Sequence, residues 1–186
     1  MRKFVHWLLP LLLLLGSHVA EASHIAAADL SYRCLGGNQY EITLRVFTDC
    51  QGISAPRSAG VQVQSIGICS APSQNVTLTR TSNREVPIVC AAQAGLSACT
   101  NPGSGFIGYE ESVYVGTTDL SAYVSANCGW TISYQNCCGN PAITNIANAT
   151  SSARHIEVNG LSNAVASSNS SPYTNGLPTL VICDVS

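Results

Sequence analysis

Nine cysteines constrain this chain more than any other feature: Cys34, Cys50, Cys69, Cys90, Cys99, Cys128, Cys137, Cys138 and Cys183, all beyond residue 22. What precedes them reads as an export leader. Arg2 and Lys3 are followed by an apolar run from Trp7 to Leu15 and by the small-residue site Ala20-Glu21-Ala22. That order predicts a signal peptide over residues 1–22, cleaved after Ala22. The run is too short for a membrane span, which takes ~20 residues, and no later stretch is apolar enough to cross a bilayer. An exported chain meets an oxidising compartment, so its cysteines are expected in disulfides. Zinc sites use short C-x₂₋₄-C pairs, and this spacing is absent, so no metal site is expected. An odd total leaves one cysteine over.

The remainder, residues 23–186, has the length of a single module with a core of its own. It carries six arginines, no lysine and nine carboxylates. Such sparse charge lacks the basic footprint of a nucleic-acid binder and the polybasic patch of a membrane binder.

Alternation identifies strands. Tyr40, Ile42, Leu44 and Val46 alternate with Glu41, Thr43 and Arg45, the pattern of a strand with one buried face. Phe47 breaks the rhythm, and a bulge is expected there. Upstream, Leu30, Tyr32 and Cys34 alternate with Asp29, Ser31 and Arg33. Gly36-Gly37-Asn38 between the runs suits a tight turn with positive φ, so residues 29–49 read as a β-hairpin. Further strands are predicted at Val61–Gln64, Val76–Thr79, Phe106–Val115, Trp130–Gln135 and His155–Leu161. In the third of these, Tyr109, Val113 and Val115 share a face. In the fourth, Trp130, Ile132 and Tyr134 share one and are expected to be buried. Pro87 marks Val86–Cys90 as an edge strand or loop, and glycine and proline make residues 91–105 a loop. Short strands between turn signals predict an all-β fold, a disulfide-stapled antiparallel β-sandwich, Ig-like in general architecture. The specific Ig signature is not met, because Cys128 lies only two residues before Trp130.

Geometry constrains the bridges. Cys34 near the hairpin turn and Cys50 at its open end stand tens of Å apart at ~3.3 Å per residue, whereas a bridge needs Cα atoms within ~7 Å. The same reasoning separates Cys128 from Cys137. Cys137 and Cys138 should point to opposite faces. Cys90 and Cys99 flank a flexible loop containing Gly95, and a Cys90–Cys99 disulfide is predicted. Cys183 is then the odd cysteine.

Catalytic constellations are weak. Ser104, His155 and Asp119 make a triad on paper only, since Gly103-Ser104-Gly105 is not a nucleophile elbow. Cys137-Cys138 with His155 has no supporting motif. Glu110 and Glu111 are neighbours in a strand and face opposite ways, unlike a glycosidase pair. Calcium-loop motifs are absent, although Asp29 or Asp119 could hold a surface ion. Tyr109, Tyr114 and Tyr123 are candidate binding aromatics, against the commoner role of such residues as core. The sequons at Asn75, Asn148 and Asn169 read as chance in a chain rich in Asn, Ser and Thr.

Three segments carry a resemblance. His24 to Leu44, continuing to Asp49-Cys50, is one; Tyr109-Glu110-Glu111-Ser112-Val113-Tyr114-Val115-Gly116-Thr117 is the second; Trp130 to Asn145, with Cys137-Cys138-Gly139-Asn140-Pro141, is the third. In order and separation they resemble the N-terminal module of bacterial gliding motility-associated surface proteins, which often carry PKD repeats and a type IX secretion sorting domain. The family usually has glycines where Ala27 and Ala28 stand, and it continues where this chain stops at Ser186. The sequence therefore reads as a truncated product, a fragment or a stand-alone module. The resemblance implies a secreted or cell-surface, non-enzymatic adhesion module. Such a module would bind a glycan, a surface or matrix polymer, or an adjacent domain of a larger protein. It brings no active site, and no cofactor is expected. The rival expectation is a secreted carbohydrate-active hydrolase, which would need two carboxylates converging in a cleft.

Overall fold

The computed structural model describes residues 25–67, 71–86, 90–121, 129–136, 154–162 and 169–172. Residues 1–24, Tyr123, Pro87 and five of the cysteines (Cys69, Cys128, Cys137, Cys138, Cys183) lie outside these residues. The chain is all-β. Its strands are β1 (Ile25–Gly36), β2 (Gln39–Asp49), β3 (Ser58–Ile66), β4 (Gln74–Val86), β5 (Tyr109–Asp119), β6 (Gly129–Asn136) and β7 (Arg154–Ser162). Among the described residues, no helix is long and apolar enough to cross a membrane.

The β1–β2 hairpin forms where the alternation places it. Gly37 and Asn38 occupy the two turn positions with φ of 59° and 62°. Positive φ at both is the signature of a type I′ turn, whose twist matches that of the strands it joins. The register then pairs Tyr32 with Ile42, Leu30 with Leu44 and Ala28 with Val46. Near Phe47 the pattern does break: Val46, Phe47 and Thr48 are buried in succession. The extra residue sits in the partner strand, where the register shifts between Ile25 and Ala27 opposite Thr48 and Phe47.

All neighbouring strands are antiparallel, in the order β1-β2-β5-β4-β3-β6-β7. β5 returns between the hairpins β1–β2 and β3–β4, and β6–β7 extends the sheet beyond β3. The expected pair of layers arises from one continuous sheet that nearly closes on itself, bringing β1 and β7 together. β4 pairs with β3 over residues 74–79 and with β5 as far as Val86, so its last residues have a neighbouring strand on the β5 side only, as at an edge; Pro87 itself lies outside the described residues.

The enclosed face makes one core. Leu30 and Tyr32 of β1, Tyr40, Ile42, Leu44 and Val46 of β2, Val61 and Val63 of β3, Leu78 of β4, Tyr114 of β5 and Trp130, Ile132 and Tyr134 of β6 meet there. Trp130 and Ile132 are fully buried, as their alternation predicts. On β5, Tyr109, Val113 and Val115 share a face, half-buried on the outer side, while Tyr114, with Ser112 and Thr118, points inward. Gly116 shows why backbones approach closely here: a Cβ at this position would stand 2.6 Å from Leu78 Cδ2 and 3.0 Å from the Thr77 carbonyl oxygen.

The predicted Cys90–Cys99 bridge is not formed. Cys99 is bonded to Cys50, with Cα atoms 5.0 Å apart, and Cys90 is in a disulfide with a cysteine other than Cys99. The segment from Cys90 to Gly108 does not close on itself as a loop. It makes a 3₁₀ turn at Ala91–Leu96 and a parallel bridge between Ser97 and Phe106. This folds Cys99 back over the open end of the hairpin, where the Cys50 N–H donates to the Gly108 carbonyl at 2.9 Å. Cys34, at the far end of the hairpin, is indeed not the partner of Cys50.

Candidate functional site

The outer face of the β1–β2 hairpin carries the polar half of each strand's alternation. Ser31 and Arg33 of β1 stand beside Glu41, Thr43 and Arg45 of β2, in the register Arg33–Glu41, Ser31–Thr43 and Asp29–Arg45. The arrangement follows from the hydrophobic pattern. With Tyr32, Ile42 and Leu44 committed to the core, period-2 alternation sends these side chains out.

A second segment walls this face. Asn169–Pro172 lies along the edge of β1, held mainly through serine hydroxyls. The Tyr32 N–H donates to Ser171 Oγ at 2.8 Å, and the Cys34 N–H donates to Ser170 Oγ at 3.0 Å. The Ser171 N–H donates to the Tyr32 carbonyl at 3.0 Å. Tyr32 in turn donates its hydroxyl to Asn169 Oδ1 at 3.3 Å. Burial is the main cause that raises the Tyr32 pKa above 10.0, and the Asn169 bond opposes it.

Hairpin face and wall together enclose an open groove of about 430 Å³ lined by Ser31, Tyr32, Arg33, Glu41, Thr43, Arg45, Ser170 and Ser171. Arg33 grips Glu41 through Nε at 3.2 Å and Nη2 at 2.9 Å, both on the same carboxylate oxygen. Among the described residues of the lining, Glu41 is the only carboxylate. Two guanidinium groups, one carboxylate and four hydroxyls from serine and threonine give a surface rich in hydrogen-bond donors and poor in charge able to abstract protons.

The second cleft is small. About 100 Å³ lies beside the Cys50–Cys99 bridge, lined among others by Thr48, Asp49, Ser54, Pro102 and Glu110. That is room for ~3 waters. Nearby, Glu85 and Glu110 are register partners across β4 and β5. Glu110 accepts from Asn83 at 3.2 Å and Glu85 from Thr100 at 3.2 Å. Glu111 faces the other way, 2% exposed, and pairs with Arg84, whose Nε lies 2.6 Å from its carboxylate.

The residues singled out in the sequence are dispersed. Tyr114 cannot be a binding aromatic: it is 1% exposed and donates its hydroxyl to the Pro56 carbonyl at 2.9 Å. Its inward position follows from the parity of β5. Tyr109 is half-buried on the outer face, opposite Asp49. Ser104 lies before the start of β5 and Asp119 is its last residue, at the far end of a strand that spans ~30 Å, so they form no triad. Ser104 donates to the Leu96 carbonyl at 2.5 Å, while Asp119 accepts from the Ser121 N–H at 2.8 Å. The Ser121 hydrogen bonds draw the Asp119 pKa below its usual value. Asp29 has Arg45 as its register partner. Among the described residues, no three His, Cys, Asp or Glu side chains converge as metal ligands. The groove residues were legible only as the polar half of an alternation, and nothing local ties Ser170 and Ser171 to β1 across more than a hundred residues. Family models, curated proteins and solved structures give no match to this chain.

Proposed function

We propose that this chain is an exported, non-enzymatic binding module of a bacterial surface protein, of the adhesion or gliding-motility type that its sequence resembles. Its recognition site is the groove between the β1–β2 face and the Asn169–Pro172 wall, and its ligand is a glycan strand. The observation that carries this reading is the composition of the groove. Hydroxyls and guanidinium groups match the hydroxyl and ring oxygens of a sugar. A hydrolase would need two carboxylates flanking the bond to be cut. Among the described residues the groove has one, and it is held by Arg33.

The runner-up reading, a secreted carbohydrate hydrolase, would draw on Glu85 and Glu110, the one carboxylate pair among the described residues that shares a register position. The cleft beside Glu110 is too small for a sugar ring. One experiment separates the two. The purified chain from residue 23 onward is screened against a panel of polysaccharides for retention and for release of reducing ends. Retention without release, weakened by Thr43→Ala, is expected. Release of reducing ends that Glu85→Gln or Glu110→Gln abolishes would establish the hydrolase instead.

A further inference from the structure

We propose that the exposed edge of β4 is a docking site for an extended, basic segment of a partner protein, which adds to the sheet as a further strand. This site is separate from the groove and does not depend on the glycan-binding reading.

The register leaves the edge open. β4 pairs with β3 only as far as Thr79, opposite Ser58, whereas its pairing with β5 continues to Val86. One further bond, from the Arg80 N–H to the Arg57 carbonyl at 2.9 Å, closes the contact on the β3 side. Beyond it, among the described residues, β4 has a neighbouring strand on the β5 side only. Exposure agrees. Thr81, Ser82, Asn83, Arg84 and Glu85 are all exposed, where a strand covered on one face would alternate.

Backbone direction follows from the ladder. The Val113 carbonyl faces β4, since it accepts the Thr81 hydroxyl at 3.2 Å. In an antiparallel pair, alternate residues turn both backbone groups toward the partner. Glu111 and Tyr109 therefore face β4 as well, opposite Arg84 and Val86. Asn83 and Glu85, of the other parity, turn their N–H and C=O groups away from β5 to the open side. Such a row of outward backbone groups is what an added strand pairs with.

Charge selects the strand. Glu85 stands directly opposite Glu110, and like charges so placed repel. Each accepts from a neutral donor, Glu85 from the Thr100 hydroxyl and Glu110 from the Asn83 amide, both at 3.2 Å. Arg84 lies on the opposite face and is committed to Glu111. Among the described residues no cation pairs with Glu85 or Glu110. A residue opposite Glu85 on an added strand would have its Cβ about 5 Å away, and a lysine or arginine there meets the uncompensated charge. A second copy of this chain does not fit. Antiparallel pairing of the edge with its own copy would gather the carboxylates of both copies on one face. The occupant is a foreign segment with a basic side chain.

The test is titration of the isotope-labelled chain from residue 23 onward with capped synthetic peptides: Thr-Val-Lys-Val-Thr-Val, its counterpart with glutamate for lysine, and the lysine peptide N-methylated at every amide. In the free chain the amides of Asn83 and Glu85 should exchange with solvent faster than those of Arg84 and Val86. The lysine peptide should bind, slow exchange at Asn83 and Glu85, and weaken with salt. The glutamate peptide should bind at least 10-fold more weakly, and the N-methylated peptide should not bind. Glu85→Gln should lower affinity for the lysine peptide about 5-fold, the loss of one cross-strand ion pair. Asn83→Pro deletes one outward N–H where an edge strand tolerates proline, and should weaken binding as well. Unfolding midpoints show that each variant is folded before its affinity is read. Equal binding of the lysine and glutamate peptides, unaffected by Glu85→Gln, would overturn the selection of a basic strand. Binding that survives N-methylation, slow exchange of the Asn83 and Glu85 amides in the free chain, or failure of every peptide to bind would overturn the docking site itself.

Discussion

Breaking the Cys50–Cys99 bridge by the double change Cys50→Ala, Cys99→Ala tests the main correction to the sequence reading. The bridge spans 49 residues, a segment that contains β3, β4 and the 3₁₀ turn. Closing a loop of that length removes chain entropy from the unfolded state equivalent to about 4 kcal/mol at room temperature. Had Cys99 been joined to Cys90, the closed loop would have been far shorter and the same formula would give roughly 2.5 kcal/mol. The native contacts around the bridge persist without it. Cys50 N–H still meets Gly108, the Ala98 N–H donates to Phe106 at 3.2 Å, and the Asn101 N–H donates to Ser97 at 2.7 Å. The loss should therefore appear mainly through the unfolded state, which expands. Urea unfolding of the mature chain, followed by the emission of Trp130, reports both quantities. The expected result is a stability lower by 3–4 kcal/mol together with a steeper dependence on urea, because more surface is exposed on unfolding. A loss below ~1 kcal/mol with an unchanged slope would refute the reasoning. Peptide mapping that links Cys99 to Cys90 would refute the pairing itself.

Three further outcomes follow from the core and its margins. Trp130 is the only tryptophan beyond residue 22 and is fully buried; its emission in the chain from residue 23 onward should be blue-shifted and quencher-resistant, and Trp130→Ala should cost about 3–5 kcal/mol, whereas red-shifted emission from the folded chain would contradict the packing. Arg84→Ala leaves the Glu111 carboxylate buried without its guanidinium. With Arg84 63% exposed to screening solvent, the loss should be about 1–3 kcal/mol, largely recovered by adding Glu111→Gln, and a neutral single change would show the pair to be inert. Tyr32, Tyr40, Tyr109, Tyr114 and Tyr134 all have pKa values raised, chiefly by burial. A folded pKa above the unfolded one means stability that is fully present below pH 10 and is lost as pH rises through the folded values. Urea midpoints should fall progressively from pH 10 upward, and tyrosinate absorbance that develops at the ordinary pKa in a fully folded chain would disprove it.

What the sequence determined by itself was local. The alternation of Tyr40, Ile42, Leu44 and Val46 set a strand with one buried face, because side chains in an extended chain must alternate. Gly37 and Asn38 set the turn, because few residues accept positive φ at two successive positions. The burial of Trp130 with Ile132 and Tyr134 followed from the same period. What the tertiary structure decided was every choice that alternation leaves open. Period 2 divides β5 into two faces and does not say which turns inward. Tyr114 is core and Tyr109 is not because β5 is inserted between β2 and β4 with Tyr114 opposite Leu44, a pairing that depends on residues far away in the chain. The disulfide was decided in the same way. Cys90 and Cys99 are near in sequence, but the parallel contact of Ser97 with Phe106 turns Cys99 toward Cys50, and a bridge forms between the thiols that the fold brings together, whatever their separation along the chain.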